Sequence, residues 1–343
     1  MRVGLYDDRL FREHDSGFGH PERPERLDAL RRGLRAAGLE ERLRLLSPRP
    51  ATPAELLRVH TEEHLAHVAS TRGRTVRFDA DTQAGPRSYD AALAAAGAVV
   101  DAVDRVLDGD LDRAFCAVRP PGHHASADRA MGFCLFNNVA AGAAHAIHRG
   151  LSRVAVLDID VHHGNGTQDI FWEDPRVLYV SSHAYPFYPG TGALDEVGAN
   201  AGRGFTVNLP LPAGTGDAGY ARVYRDVVTP VGKSYDPELV LVSCGFDAHR
   251  GDPLAGMDLS PAGFAHLMSV CLGVAGGKGE GRVVVALEGG YLLDGIANAG
   301  AAVVSVLLGA SAPEVRSGED RRLDPLLDAY REELRPFWPA LAE

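Results

Sequence analysis

Val154-Ala155-Val156-Leu157-Asp158-Ile159-Asp160-Val161-His162-His163-Gly164-Asn165-Gly166-Thr167 joins an apolar run to a dense polar cluster. The four apolar residues read as a buried β-strand. Two carboxylates and two imidazoles are therefore packed where that strand ends. Open parallel sheets bind ligands beyond the carboxyl ends of their strands. Burying so much charge without a partner costs several kcal/mol or more, so the cluster calls for a cation. Asp160 and His162, two apart in extended chain, point to the same side and can grip one metal ion.

Working outward, six more short apolar runs have strand character: Arg2–Tyr6, Ala114–Val118, Val177–Ser181, Phe205–Leu209, Leu239–Ser243 and Val283–Leu287. Segments of helical period separate most of them: Ala91–Leu107, Asn137–His148, Ala221–Val231, Pro261–Val274 and Leu292–Leu308. Thr52-Pro53-Ala54-Glu55 has the pattern of a capping box with proline in the first turn. This β-α-β alternation predicts an α/β fold, a mostly parallel sheet with helices on both faces. No linker or low-complexity tract divides it, so one domain over 1–343 is expected. The charged helical stretch Leu323–Leu334 within 312–343 reads as a peripheral C-terminal cap.

Polar clusters recur at strand ends. Pro120-Pro121-Gly122-His123-His124-Ala125 follows the strand ending at Val118. Gly245-Phe246-Asp247-Ala248-His249-Arg250-Gly251-Asp252-Pro253 follows Ser243, and Glu288-Gly289-Gly290-Tyr291 follows Leu287. Four strands thus deliver polar side chains to one edge of one sheet.

Composition narrows the partners. The chain has 343 residues, 45% hydrophobic and 24% charged, with a net charge of −11. No basic patch is present to neutralise phosphates, which argues against nucleic acid. Four scattered cysteines (Cys116, Cys134, Cys244, Cys271) show no CxxC spacing, excluding a zinc ribbon or disulfide framework. The first residues carry no apolar signal core and no 18-residue apolar span occurs, so a cytoplasmic protein without membrane partners is expected. Arginine supplies nearly all the positive charge, with only Lys233 and Lys278 as lysines, a bias read as bacterial genome composition. The oligomeric state is left open.

With these motifs assembled, the sequence resembles the histone deacetylase family, whose wider group includes acetylpolyamine amidohydrolases and acetoin-utilisation proteins. The resemblance rests on Pro120–Ala125, Gly132-Phe133-Cys134-Leu135-Phe136-Asn137-Asn138, Asp158–Gln168, Gly245–Pro253 and Glu288–Tyr291. It extends from His20-Pro21-Glu22-Arg23-Pro24 to about Leu308. It implies an arginase-like fold with an eight-stranded parallel sheet, and zinc-dependent hydrolysis of acetyl-amides. The implied ligands are Asp160, His162 and Asp247, which leave open positions as a catalytic zinc requires. Ferrous iron suits the same donors. The metal would bring the pKa of water to about 7 and polarise the amide oxygen.

The resemblance also implies the remaining roles. His124 is the principal general base and acid, with His123 as electrostatic support; the reverse division is the alternative. Asp158 orients His123 and Asn165 orients His124. Asn165 departs from the aspartate of many members and resembles the class II-like branch; a neutral partner leaves His124 less basic. Tyr291 donates to the oxyanion. Gly132 and Phe133 form one wall of an acyl tunnel, and Phe187 or Tyr188 the other. Asp81 matches a rim aspartate that holds substrate backbone amides. Ser181, with carbonyls around Asp158 and His162, is the candidate site for structural potassium.

The remaining histidines are read as structural or peripheral: His60, His64 and His67 in a supporting segment, His145 and His148 on a helix surface, His14 and His20 in the first loop. An arginase-like ureohydrolase is rejected, because Asp247-Ala248-His249 lacks the second carboxylate that two hard cations need. Acetylpolyamine hydrolysis is the closer rival. The dimer-building insertion of one such branch is absent, and the gatekeeping glutamate of another is replaced by Leu254. The expected substrate is therefore an acetyl-lysine peptide or protein, or a similar acylated amine. A catalytically silent acyl-lysine reader is the third possibility.

Overall fold

The computed structural model describes residues 1–315 and 320–342. Its strands are β1 (Val3–Tyr6), β2 (Arg44–Leu46), β3 (Val76–Arg77), β4 (Gln83–Ala84), β5 (Arg113–Cys116), β6 (Val154–Asp158), β7 (Val177–Ala184), β8 (Thr206–Leu211), β9 (Leu239–Cys244) and β10 (Val283–Leu287). Eight of them make one sheet in the order β2-β1-β5-β10-β9-β6-β7-β8. Every neighbouring pair in it is parallel. β3 and β4 form a separate antiparallel hairpin.

The seven strands expected from apolar runs are all present, because a parallel strand covered on both faces is apolar along its length. β2 had no such signature: it lies at the sheet edge, and Leu45 is 53% exposed. Helices Ser88–Leu107 and Asn138–His148 pack on one another and against the central strands. Thr52 closes the predicted capping box with Glu55. The expected Ala221–Val231 helix is longer and irregular, running through Asp217–Val223, a π-turn at Tyr224–Val228, and Thr229–Tyr235. Helices Glu25–Ala36 and Asn165–Phe171 were not anticipated. The first carries a clear helical signal, with Leu27, Leu30 and Leu34 spaced along its buried face.

β5, β10, β9 and β6 are consecutive neighbours, and they are the four strands that end in polar clusters. Pairing Asp158 with Ser243 and Leu287 with Cys244 brings the ends of β6, β9 and β10 level. This is the geometry that draws the distant motifs together.

The tail packs beside the edge strand β8. Leu327, Tyr330 and Leu334, on one face of helix Asp324–Leu334, are buried, as is Leu323 just before it. The Tyr330 hydroxyl donates to the Pro210 carbonyl on β8 at 2.6 Å, and the Trp338 indole N–H to the Gly204 carbonyl at 2.9 Å. Of the segment 312–343, residues 316–319 and 343 lie outside the described residues. No helix among the described residues is long and apolar enough to cross a membrane.

Candidate active site

Ligand atoms of Asp160, His162 and Asp247 lie within 4.8 Å of one another, and all three residues are buried. His162 Nδ1 is 3.1 Å from both Asp160 Oδ1 and Asp247 Oδ2. Backbone groups fix the two carboxylates: His162 N donates to Asp160 Oδ1 at 2.8 Å, Gly289 N to Asp160 Oδ2 at 2.8 Å, and Val161 N to Asp247 Oδ1 at 3.0 Å. A Cβ at position 289 would stand 2.0 Å from Asp247 Oδ2 and 2.7 Å from Asp160 Oδ2, so only glycine permits this approach. Burial disfavours an imidazolium at His162, yet the two carboxylates outweigh it and lift the group to about 10. Two buried anions around one imidazole form a nest for positive charge, and the donor set fits a divalent metal with open positions.

The loop after β5 brings in the histidine pair. His123 Nδ1 lies 3.0 Å from Asp158 Oδ2, and His124 Nδ1 lies 2.9 Å from Asn165 Oδ1. Asn165 opens helix Asn165–Phe171, so the buried start of that helix aims its amide at the ring. Environment drives the two rings apart. Burial opposes a charge on His123, but Asp158 and Asp160 prevail and raise it to about 10. Burial, together with His123 and His162, holds His124 well below the usual histidine range.

Tyr291 follows β10, with Phe133 edge-on at 5.9 Å and the Arg26 guanidinium 5.2 Å from its ring centre. Burial and the Asp247 charge raise its phenol well above the ordinary value, so it remains a donor at working pH.

These groups converge on one cavity of about 260 Å³ lined by Asp81, His123, His124, Gly132, Phe133, His162, Phe187, Tyr188, Leu254 and Tyr291 among others. Phe187 stacks on His162 at 5.4 Å, and Tyr188 meets His124 edge-on at 5.2 Å, so both supply the wall opposite Phe133. Gly132 has φ +55°, and a Cβ there would sit 2.4 Å from His124 Cδ2. Asp158, Asn165 and Asp247 stand just behind the lining. Ser181 is apart from the cavity: it is buried on β7, with its hydroxyl 2.9 Å from His183 Nδ1.

Several supporting residues carried no assigned role in the sequence. Glu288 accepts from Gly122 N at 2.6 Å and His123 N at 3.1 Å, fixing the histidine loop to the end of β10; burial raises it to about 7. Asp252 accepts from Tyr291 N at 2.7 Å, Leu292 N at 3.0 Å and Leu254 N at 3.0 Å, clamping two loops together. The Tyr179 hydroxyl sits 3.1 Å from Asp158 Oδ2. Glu288 and Asp252 stand inside the quoted motifs, but only their partners reveal the jobs. One expectation is corrected: His145 is buried rather than on a helix surface, because Asp104 at 2.8 Å and Arg58 at 2.9 Å, from other segments, engage both ring nitrogens. His148 is exposed.

Fold and site together define an α/β protein with a candidate metal triad, and residues 20–307 match the histone deacetylase domain. The chain belongs to that family. It is 42% identical to Arabidopsis thaliana histone deacetylase 15 over 94% of its length and 59% of the relative's. A probable deacetylase of Archaeoglobus fulgidus is 38% identical, with 93% of this chain and 90% of that one covered. Human polyamine deacetylase HDAC10 is 42% identical over 94% of this chain and 50% of its own length. The chain thus spans between half and three-fifths of the plant and human relatives. A crystal structure of the HDA15 HD domain superposes with a TM-score of 0.91 at 39% identity, covering 99% and 97% of the two chains.

Proposed function

We propose that this protein is a zinc-dependent amidohydrolase that removes acetyl or short acyl groups from the ε-amine of lysine in peptides or proteins. The observation that carries the reading is the meeting of Asp160, His162, Asp247, His123, His124 and Tyr291 around one narrow cavity. Asp160, His162 and Asp247 would hold zinc, or ferrous iron in its place. A metal there supplies Lewis-acid polarisation of the acyl carbonyl and acidifies water.

The protein's own groups do the rest. With Nδ1–H directed to Asn165, His124 keeps Nε2 unprotonated and free to take a proton from water. His123, charged beside Asp158, stabilises negative charge as it develops. His124 then returns its proton to the leaving amine, whose free pKa of about 10.4 makes it a poor leaving group otherwise. Tyr291 donates its hydroxyl to the acyl oxygen as that oxygen gains charge. Phe133, Phe187 and Tyr188 enclose the aliphatic stem and exclude water. Ser181, whose oxygen keeps lone pairs while donating to His183, would join nearby carbonyls in holding structural potassium.

A second reading, hydrolysis of acetylated polyamines, is favoured by the human relative's name. Against it, Leu254 lines the mouth and offers no carboxylate to a distal ammonium. Acetate release from an acetyl-lysine peptide and from N-acetylputrescine, measured in parallel on the zinc-loaded protein, separates the two. Faster turnover of the peptide is expected. Preference for the polyamine overturns the substrate class, and silence on both overturns the enzyme reading.

Metal binding has its own test. Gly289→Ala forces the Asp247 and Asp160 carboxylates aside, so zinc bound per chain after dialysis should fall at least tenfold while the fold survives. Full stoichiometry in this variant would remove these carboxylates as ligands.

A further inference from the structure

The tunnel wall is held in a costly shape. Phe133 has φ +69° directly after Gly132 at φ +55°. A bulky side chain in the left-handed region is strained and persists only where its surroundings impose it. Met131 and Cys134 close the turn with paired backbone bonds of 3.2 and 2.9 Å, but neither engages the Phe133 N–H. That N–H donates instead to the Thr82 hydroxyl, at 3.1 Å.

Thr82 closes the β3–β4 loop, directly before β4, and is 1% exposed, although Asp79, Ala80 and Asp81 beside it are all exposed. Its hydroxyl accepts from Phe133 and has one proton to give, which goes to Asp81 Oδ1 at 3.3 Å. The Thr82 N–H is anchored on Asp79 Oδ1 at 2.6 Å, and the Thr82 carbonyl accepts from Phe78 N at 2.9 Å. A second strut runs in parallel. Glu22 N donates to His20 Nδ1 at 3.0 Å, so Nε2 carries the ring proton and donates to the Asp81 carbonyl at 3.1 Å. The same His20 ring packs edge-on against Phe133 with centroids 4.5 Å apart. Rim carboxylate and tunnel wall are therefore one hydrogen-bonded unit.

We propose that Thr82 is a positioning residue that couples Asp81 at the rim to Phe133 in the tunnel, so that a substrate amide engaging Asp81 also seats the wall against the acyl-lysine stem. This rests on the acyl-lysine reading above. The coupling acts on ligands long enough to reach the rim, and a small N-acetylamine lacks the backbone amides to use it. Removing the hydroxyl strands a Phe133 N–H that is already in a strained turn, and frees the Asp81 carboxylate to swing.

The test compares the parent with Thr82→Val, Thr82→Ser, Asp81→Ala and the Asp81→Ala/Thr82→Val pair. KM and kcat for an acetyl-lysine peptide are measured, together with the Kd of a peptide-capped and of an uncapped hydroxamate. Thr82→Val should raise the peptide KM and the capped-inhibitor Kd about tenfold, leave kcat within threefold, and hardly change the uncapped Kd. Thr82→Ser should restore the parent values, and adding Thr82→Val to Asp81→Ala should cost little more. Additive effects in the double variant, or an equal loss for both inhibitors, overturn the coupling. If the parent does not turn over the peptide, the substrate reading fails by itself, and the two inhibitor affinities still decide the role of Thr82.

Discussion

Tyr291→Phe should lower kcat for deacetylation by about 10²–10³-fold with zinc content and fold unchanged. The substitution removes one oxygen from a buried ring that keeps its packing against Phe133 and the Arg26 guanidinium. Its main chain stays clamped, because Asp252 holds the Tyr291 and Leu292 N–H groups rather than the side chain. The lost interaction grows as the acyl oxygen gains charge, so the effect falls on kcat more than on KM. Burial and the neighbouring Asp247 keep the phenol protonated, hence the deficit should be the same at pH 7 and pH 9. A loss smaller than threefold, measured by acetate release at saturating peptide, would remove Tyr291 from the reaction.

The second large effect is on stability. Glu22→Gln should destabilise the protein by about 3–5 kcal/mol at pH 7, the cost of breaking a buried ion pair from one side. Glu22 receives Arg119 Nη2 at 2.8 Å, Arg26 Nη1 at 2.9 Å and the Ser16 hydroxyl at 2.7 Å, all buried. Arg26 also donates to the Gly290 carbonyl at 2.6 Å, and Arg119 to the Phe11 carbonyl at 2.8 Å. One carboxylate thus bridges the two buried cations that join the first loop to the Tyr291 turn, and an amide leaves both guanidiniums without that counter-charge.

The pH dependence has a definite sign. Burial alone would raise the Glu22 carboxyl, but the Arg119 charge and bonds from His14 and Arg119 outweigh it and hold it well below the usual range. A depressed folded value stabilises above the unfolded value of about 4.3 and loses that stabilisation as pH falls below it. The gap between parent and Glu22→Gln should therefore be full at pH 6–7 and narrow below about pH 4. The parent itself weakens earlier. Burial lowers His60 to about 3 and His183 to about 4, so both take up protons only on unfolding once pH drops below about 6.5. Urea midpoints at pH 7, 5.5, 4 and 3 for both proteins check the two windows. A gap that widens with acid would mean Glu22 is not the charged partner.

Much of this protein is written locally in its chain. Buried parallel strands such as Val154–Asp158 are apolar throughout, and Thr52 and Glu55 find each other three residues apart, so neither needs the rest of the molecule to be recognised. The candidate site residues were flagged for the same reason: Asp160 and His162, or His123 and His124, sit in short motifs directly after apolar strands. β2 was hidden because an exposed edge strand needs no apolar run, whereas helix Glu25–Ala36 carries its signal openly in the spacing of Leu27, Leu30 and Leu34.

Only the tertiary structure decided which strands are neighbours. Placing β5, β10, β9 and β6 side by side makes four separated clusters into one site, and strand order depends on crossover connections that no local pattern encodes. The same holds for Glu22 between two arginines, Asp252 on the Tyr291 turn, His145 against Asp104, and Thr82 beneath Phe133. Each is a polar residue with at least one partner that lies far along the chain. A hydrogen bond between distant segments leaves no periodicity behind, so its meaning exists only once the fold has brought the two atoms within about 3 Å.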